Sequence, residues 1–355
     1  MGGNVMQKYK AIPENVKMLG RYAVVEGVTL ISFSAAGVEF NVKGSRKCAF
    51  ELIGDGMAAI DTEKMHHPRF AIYADDTLLM DTLLGKTEDT FEIDLPSDNC
   101  TVRLIKLSES SDSSFGIKEI IVDDGAVISP TPAKEFKIEF IGDSITCGYG
   151  VDGTPQDTYC TALENATKAF AYKTAKKLDC DYSLVSFSGF GIISGYTEAD
   201  ERLLTHILPD YYESIGHSYD KILEKYDVTD IKWDFSLYTP DLIVINLGTN
   251  DASYTKDIPE RQDLYTKEYV NFLKKVRSLN PDSKILCVLG IMGRTLLPAM
   301  EKAAALYAEE TGDTKIFTMG FEEQGPEQVI DSHPTEATYE AAAVKLSEFI
   351  KQNIL

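Results

Sequence analysis

Ser144 follows the apolar run 136–141 through Gly142 and Asp143, which puts a hydroxyl on the turn that leaves a buried strand. Ligands of a parallel sheet gather beyond the carboxyl ends of its strands, so a serine there is placed for nucleophilic attack. A serine hydroxyl is a poor nucleophile until a base takes its proton, and imidazole, with an ordinary pKa of about 6.5, suits that task near neutrality. The chain has five histidines. His66 and His67 precede Pro68 in a β-rich half, while His206 and His217 lie in a tyrosine-rich insertion with no acidic residue at a useful spacing. His333, preceded by Asp331 and Ser332 and followed by Pro334, is the base this reading selects. Asp331 is its candidate orienting acid, because a catalytic imidazole needs its second nitrogen held.

Attack on an ester creates an oxyanion, and each donor waiting for it typically lowers the barrier by about 3 to 4 kcal/mol. The candidates are the backbone N–H of Ser144, the backbone N–H of Gly189 or Gly191 after the second strand, and the side-chain amide of Asn250 after the third. Asp143, Gly189 and Asp251 are expected to support the site from beside these groups. Each cluster alone has a plainer explanation: a helix N-cap at Asp143, glycines that relieve crowding, an Asx turn at Asn250 and a helix entry at residues 331–334. Together, at successive strand ends, they describe an acyl-transfer site. Gly148, Gly150 and Gly153 fit a dinucleotide fingerprint literally, but they stand too far past the strand, and no acidic residue closes the second strand. No ligand spacing supports a metal.

The elements that must position these residues change character along the chain. Residues 20–128 alternate apolar and polar positions with turn residues every 8 to 12 or so, the pattern of a β-sandwich. Residues 129–134, with two prolines in the stretch 127–133, read as the linker. From 135 to 355, apolar strands near 136–141, 182–187, 242–247, 285–289 and 315–319 alternate with helical patterns at 166–178, 262–279, 298–310 and 334–350. That alternation predicts an α/β/α domain on a five-stranded parallel sheet. Strand order 2-1-3-4-5 would make the strands before Ser144 and Asn250 neighbours. Residues 192–240 read as a partly helical insertion, in which Tyr211, Tyr212 and Tyr219 are expected to pack helices; Trp233 reads as core rather than as a sugar platform.

A chain of 355 residues with 44% hydrophobic content can fill two cores, residues 1–128 and 135–355. Its net charge of −21 would repel phosphate backbones and anionic lipid, so nucleic acid and membrane surfaces are not expected partners. No apolar run is long enough to span a bilayer, and the N-terminus has no secretory core. Six cysteines without paired spacing read as reduced thiols and favour the cytoplasm, although a secreted protein trimmed of its signal peptide would look the same.

The blocks around Ser144, Gly191, Asn250 and His333 resemble those of the SGNH (GDSL) hydrolases. The run 142–150 and the stretch from Trp233, Asp234 and Phe235 to residues 246–251 are similar to the carbohydrate esterase family 2 deacetylases, which join a jelly-roll-like β-sandwich to an SGNH domain. The resemblance implies Ser144 as nucleophile, His333 as base, and the Ser144 N–H, Gly191 and Asn250 as the oxyanion hole. Many SGNH enzymes place their aspartate three residues before the histidine, where this chain has Ile330, so Asp331 or a backbone carbonyl is left as the orienting group. The implied activity is removal of O-acetyl groups from acetylated plant polysaccharides such as xylan and mannan through an acetyl-serine, with no cofactor. The acetylated carbohydrate is the expected partner, and a homo-oligomer is compatible with the sequence. The alternatives are a carbohydrate-binding protein with an inactive hydrolase domain, or a broad short-chain esterase or thioesterase; the lack of a long apolar lid argues against a lipase.

Overall fold

The computed structural model describes residues 6–60 and 65–355. The chain forms two compact units: residues 1–133, 159–166 and 214–233 in one, and residues 134–158, 167–213 and 234–355 in the other.

The first unit is built on two antiparallel sheets. In one the order is Tyr22–Val25, Val28–Ile31, Phe115–Asp123, Lys47–Gly54 and Glu88–Asp94; in the other it is Val127–Pro130, Gly37–Lys43, Asn99–Lys106, Arg69–Ala74 and Thr77–Leu83. Alternation decides which side chains turn inward: in Gly37–Lys43, Val38, Phe40 and Val42 are buried while Glu39 and Asn41 are half-exposed. Phe40 meets Phe50, and Phe70 meets Phe91 and Phe115, edge-on or tilted across the two sheets at 4.8–6.0 Å between centroids. These aromatic contacts fill a β-sandwich core. Val127–Pro130, expected to belong largely to the linker, instead pairs with Gly37–Lys43 as an edge strand. Pro130 is tolerated there because it ends an outer strand, where its missing N–H costs no ladder bond. Trp233 is buried in this unit, 5.9 Å from Tyr22 and beneath the Arg21 guanidinium, so it is core.

In the second unit, five parallel strands run in the order Asp181–Ser186, Lys137–Gly142, Leu242–Asn246, Lys284–Leu289 and Ile316–Gly320, which is the predicted 2-1-3-4-5. Leu242–Asn246 is buried throughout, as a central strand covered on both faces must be. Phe170–Leu178 packs against Glu336–Asn353, and Pro259–Leu279 against Leu297–Thr311, completing the α/β/α arrangement. Residues 192–240 contain far less helix than expected: a single turn, Leu208–Tyr211, amid irregular backbone and isolated bridges. Side chains anchor that backbone in place of a helical ladder. Tyr212 is fully buried and donates its hydroxyl to Glu139 at 2.9 Å, whereas Tyr219, in the first unit, is largely exposed and packs no helix.

Candidate active site

Asp143 is an N-cap, and that does not displace the functional reading of its neighbour. Its carboxylate accepts the Ile145 N–H at 3.0 Å and starts the short turn Ser144–Cys147, so Ser144 is held at the first position of that turn. The Ser144 N–H therefore has no acceptor within the turn. The Ser144 Oγ lies 2.8 Å from His333 Nε2, although the two residues come from opposite ends of the domain sequence. His206 rests against Phe190 and His217 faces Thr229, while His66 pairs with Asp112 in the sandwich.

His333 Nδ1 faces two backbone carbonyls, those of Ile330 and Asp331, each at 3.2 Å. Carbonyls only accept, so Nδ1 carries the ring proton and Nε2 is free to take one from Ser144. The Asp331 carboxylate does not bond the ring. It accepts instead from the Tyr149 hydroxyl at 2.9 Å, which corrects the expectation of a carboxylate on the imidazole. The cause lies in the backbone: Asp331 and Ser332 take left-handed φ values of +49° and +61°, and this turn presents main-chain oxygens to Nδ1. Burial pushes the His333 imidazole down to about 4, against the two carbonyls and the Asp331 charge, which pull it up.

Gly191 also departs from expectation. Its N–H already donates to the His206 carbonyl at 3.1 Å, and a Cβ on it would stand 2.5 Å from the Asp251 carboxylate. Its missing side chain admits both that carboxylate and the Ser194 carbonyl, which would lie 2.2 Å from such a Cβ. Gly189, at φ +80°, supplies the left-handed turn of the same loop, where a side chain would be strained. Asn250, at the start of Thr249–Thr255, donates its amide to the Phe190 carbonyl at 2.8 Å, and the same nitrogen lies 3.4 Å from the Asp143 carboxylate. Three successive loops thus meet around Ser144.

Asp251 holds the second of those loops. Fully buried, it accepts the N–H groups of Ile192, Ile193 and Ser194 at 2.7–3.1 Å; burial raises its carboxyl to about 6 while these donors pull it down. Asp251→Ala leaves three buried donors without an acceptor and is expected to destabilise the protein by about 3 kcal/mol or more. A guanidinium unfolding curve checks this, and an unchanged midpoint would contradict it.

The glycines at 150 and 153 have a structural use that the sequence pattern did not suggest. A Cβ at either would come within 3 Å of Ile330, so both clear room for the residue that leads into the His333 turn. Between Gly148 and Gly150 stands Tyr149, whose ring lies 4.4 Å from that of His333, tilted by 34°. Sequence reasoning passed over it; an aromatic between two glycines just past the candidate nucleophile is the signal that could have found it.

Among the described residues, no helix is long and apolar enough to cross a membrane. A model described as the GDSL-like lipase/acylhydrolase family matches residues 140–341, more than half of the chain. The cellulase/esterase CelE of Acetivibrio thermocellus is 31% identical over 237 residues, covering 65% of this chain; the chain spans only 27% of that protein's length. An acetylxylan esterase / glucomannan deacetylase of Cellvibrio japonicus is 27% identical over 348 residues, covering 95% of this chain and 88% of that protein. The acetyl xylan esterase Est2A of Butyrivibrio proteoclasticus superposes with a TM-score of 0.86 at 23% identity, covering 99% of each chain, a likeness of fold.

Proposed function

The chain belongs to the GDSL-like lipase/acylhydrolase family, and from that membership and the geometry at Ser144 we propose that it is a serine esterase removing O-acetyl groups from acetylated plant polysaccharides or oligosaccharides. The observation that carries the proposal is the 2.8 Å contact of Ser144 Oγ with His333 Nε2, with Nδ1 held by carbonyls. The substrate class is supported by the relatives named for acetylxylan and glucomannan deacetylation. A net charge of −21 suits neutral glycans.

In this mechanism Ser144 Oγ attacks the acetyl carbonyl carbon as His333 Nε2 takes its proton. The oxyanion is received by the Ser144 N–H, the Gly189 N–H and the Asn250 amide. Gly189 replaces Gly191 because the Gly191 N–H is spent on His206. Asn250 exchanges its long contact with Asp143 for the oxyanion, since hydrogen bonds of a resting site often tighten only in the complex. The carbon–oxygen bond to the sugar then breaks, and His333 returns its proton to the departing sugar oxygen. Water, deprotonated by the same imidazole, attacks the acetyl-serine; the bond from the acyl carbon to Ser144 Oγ breaks, that oxygen takes the proton back from His333, and acetate leaves. No step calls for a cofactor. The six thiols, all free and five of them buried, support a reducing compartment.

Acetate release from acetylated xylan, acetylated glucomannan and acetylated oligosaccharides tests the proposal, alongside 4-nitrophenyl esters of increasing acyl length. Acetyl should be preferred on both panels. A rate that rises with chain length, or glycans that keep their acetyl groups, would replace the reading with a general esterase or a binding protein. The pH profile is a second check. A pKa lowered to about 4 keeps His333 neutral in mildly acidic solution, so kcat/KM should hold to about pH 5 and fall as pH drops through about 4. An acid limb centred at 6.5 or above would contradict the burial of the imidazole.

A further inference from the structure

We propose that Tyr149 is a positioning residue for His333: its ring braces one face of the imidazole while its hydroxyl anchors the Asp331 carboxylate, fixing the turn whose carbonyls orient Nδ1. The inference rests on the esterase reading and adds a third participant to the orienting work for which the sequence left Asp331 or a backbone carbonyl.

Three observations converge on it. The turn is unusual in energy: two consecutive non-glycine residues, Asp331 and Ser332, sit in left-handed backbone, and such residues persist only where their surroundings hold them. Both are exposed, so the hold must come from contacts rather than from a packed core. Gln324 donates its side-chain amide to the Ser332 carbonyl at 2.8 Å, and the loop carrying Tyr149 supplies further contacts. Ile330 seats against Gly150 and Gly153, where any side chain would collide with it. Asp152 of the same loop binds Lys168 at 2.6 Å, and Lys168 also reaches Glu336, at the start of the helix that follows His333, at 3.4 Å. The turn is thus pinned before, at and after Asp331, and Tyr149 is the one of these residues that also touches the imidazole ring.

The division of labour has a consequence for Asp331. A carboxylate that bonds an imidazole directly cannot be made an amide without losing about 10⁴ in kcat, because the ring is then left in the wrong tautomer. Here the carboxylate acts through Tyr149, and the amide oxygen of Asn can still accept the tyrosine hydroxyl. Asp331→Asn should therefore cost less than about tenfold. Removing the acceptor with Asp331→Ala, or the donor with Tyr149→Phe, should each cost about tenfold in kcat with KM within about twofold. The double variant should be no slower than the worse single one, since both break one link. Tyr149→Ala also removes the ring and should lose about 10²-fold, a loss typical of a displaced catalytic group, with Tyr149→Phe recovering about tenfold of it.

The experiment is this set of variants, each checked for native circular dichroism, with kcat and KM for 4-nitrophenyl acetate and the His333 ring followed by nitrogen NMR against pH. The groups facing that ring are Ser144 Oγ, the two carbonyls, the Asp331 charge and the Tyr149 face. Opening one face to water in Tyr149→Ala should move the titration up toward 6.5, while Tyr149→Phe leaves it in place. Tyr149→Ala within twofold of wild type, or Tyr149→Phe and Asp331→Ala losses that multiply, overturns the inference and leaves the esterase reading standing. If the wild type releases no acetate from any ester, the esterase reading fails by itself, and an unmoved His333 titration in Tyr149→Ala then decides against the positioning role. Should Tyr149→Ala fail to fold, Tyr149→Phe and Asp331→Ala decide the question through their coupling: losses that coincide support the role, and losses that multiply overturn it.

Discussion

Ser144→Ala should lower kcat for acetate release by roughly 10⁴ to 10⁶-fold while leaving the fold and the binding of glycan in place. The size follows from what the substitution removes. In the proposed mechanism the hydroxyl oxygen forms the covalent bond, and a methyl group cannot substitute for it. What remains is the oxyanion hole, which can still polarise an ester for attack by water, and in serine hydrolases such a remnant keeps roughly 10³ to 10⁴ over the uncatalysed rate. Ser144 is buried and its side chain bonds only His333 among the contacts resolved around it, so little packing is lost with the oxygen. Titration of released acetate from acetylated glucomannan, beside a thermal melt, separates chemistry from folding. A variant that keeps a tenth of wild-type turnover with an unchanged melt would remove Ser144 from the mechanism.

His333→Ala should cost nearly as much, and the two losses should not multiply. Without the imidazole nothing takes the Ser144 proton, and nothing returns one to the sugar oxygen. Nucleophile and base act as a unit, so the double variant should match the slower single variant to within a few fold. A product of the two losses in the double variant would mean that the residues serve different steps. The His333 side chain is half-buried beneath Tyr149, and truncating it leaves the carbonyls of Ile330 and Asp331 short of a donor. Some fall in stability is therefore expected with His333→Ala, of about 1 kcal/mol or more.

Much of this arrangement could be read from the chain. The five apolar strands of the second unit were legible because a parallel sheet covered on both faces demands continuous burial, and its strand order then set Ser144 and Asn250 on adjacent strands. His333 was legible by elimination, since His66 and His67 precede a proline in the β-rich half and His206 and His217 have no acidic residue at a useful spacing. Three features were not. The Asp331 carboxylate turned away because left-handed backbone at 331 and 332 is a tertiary outcome, held by contacts with a loop almost two hundred residues earlier in the chain. Gly191 and Gly189 differ only in where their N–H groups go, and the His206 carbonyl that occupies one of them belongs to an insertion with no periodic pattern to place it. That tyrosine-rich insertion reads as partly helical in sequence, but Tyr212 binds a buried polar partner and the backbone is irregular.

Rapid acid quenching during turnover of acetylated substrate, followed by peptide mass mapping, would observe the covalent step itself. One added acetyl group is expected on the peptide containing Ser144, located on that hydroxyl and absent from Ser144→Ala. An acetyl group found on another side chain, or turnover by Ser144→Ala at the wild-type rate, would refute an acetyl-serine mechanism at this site.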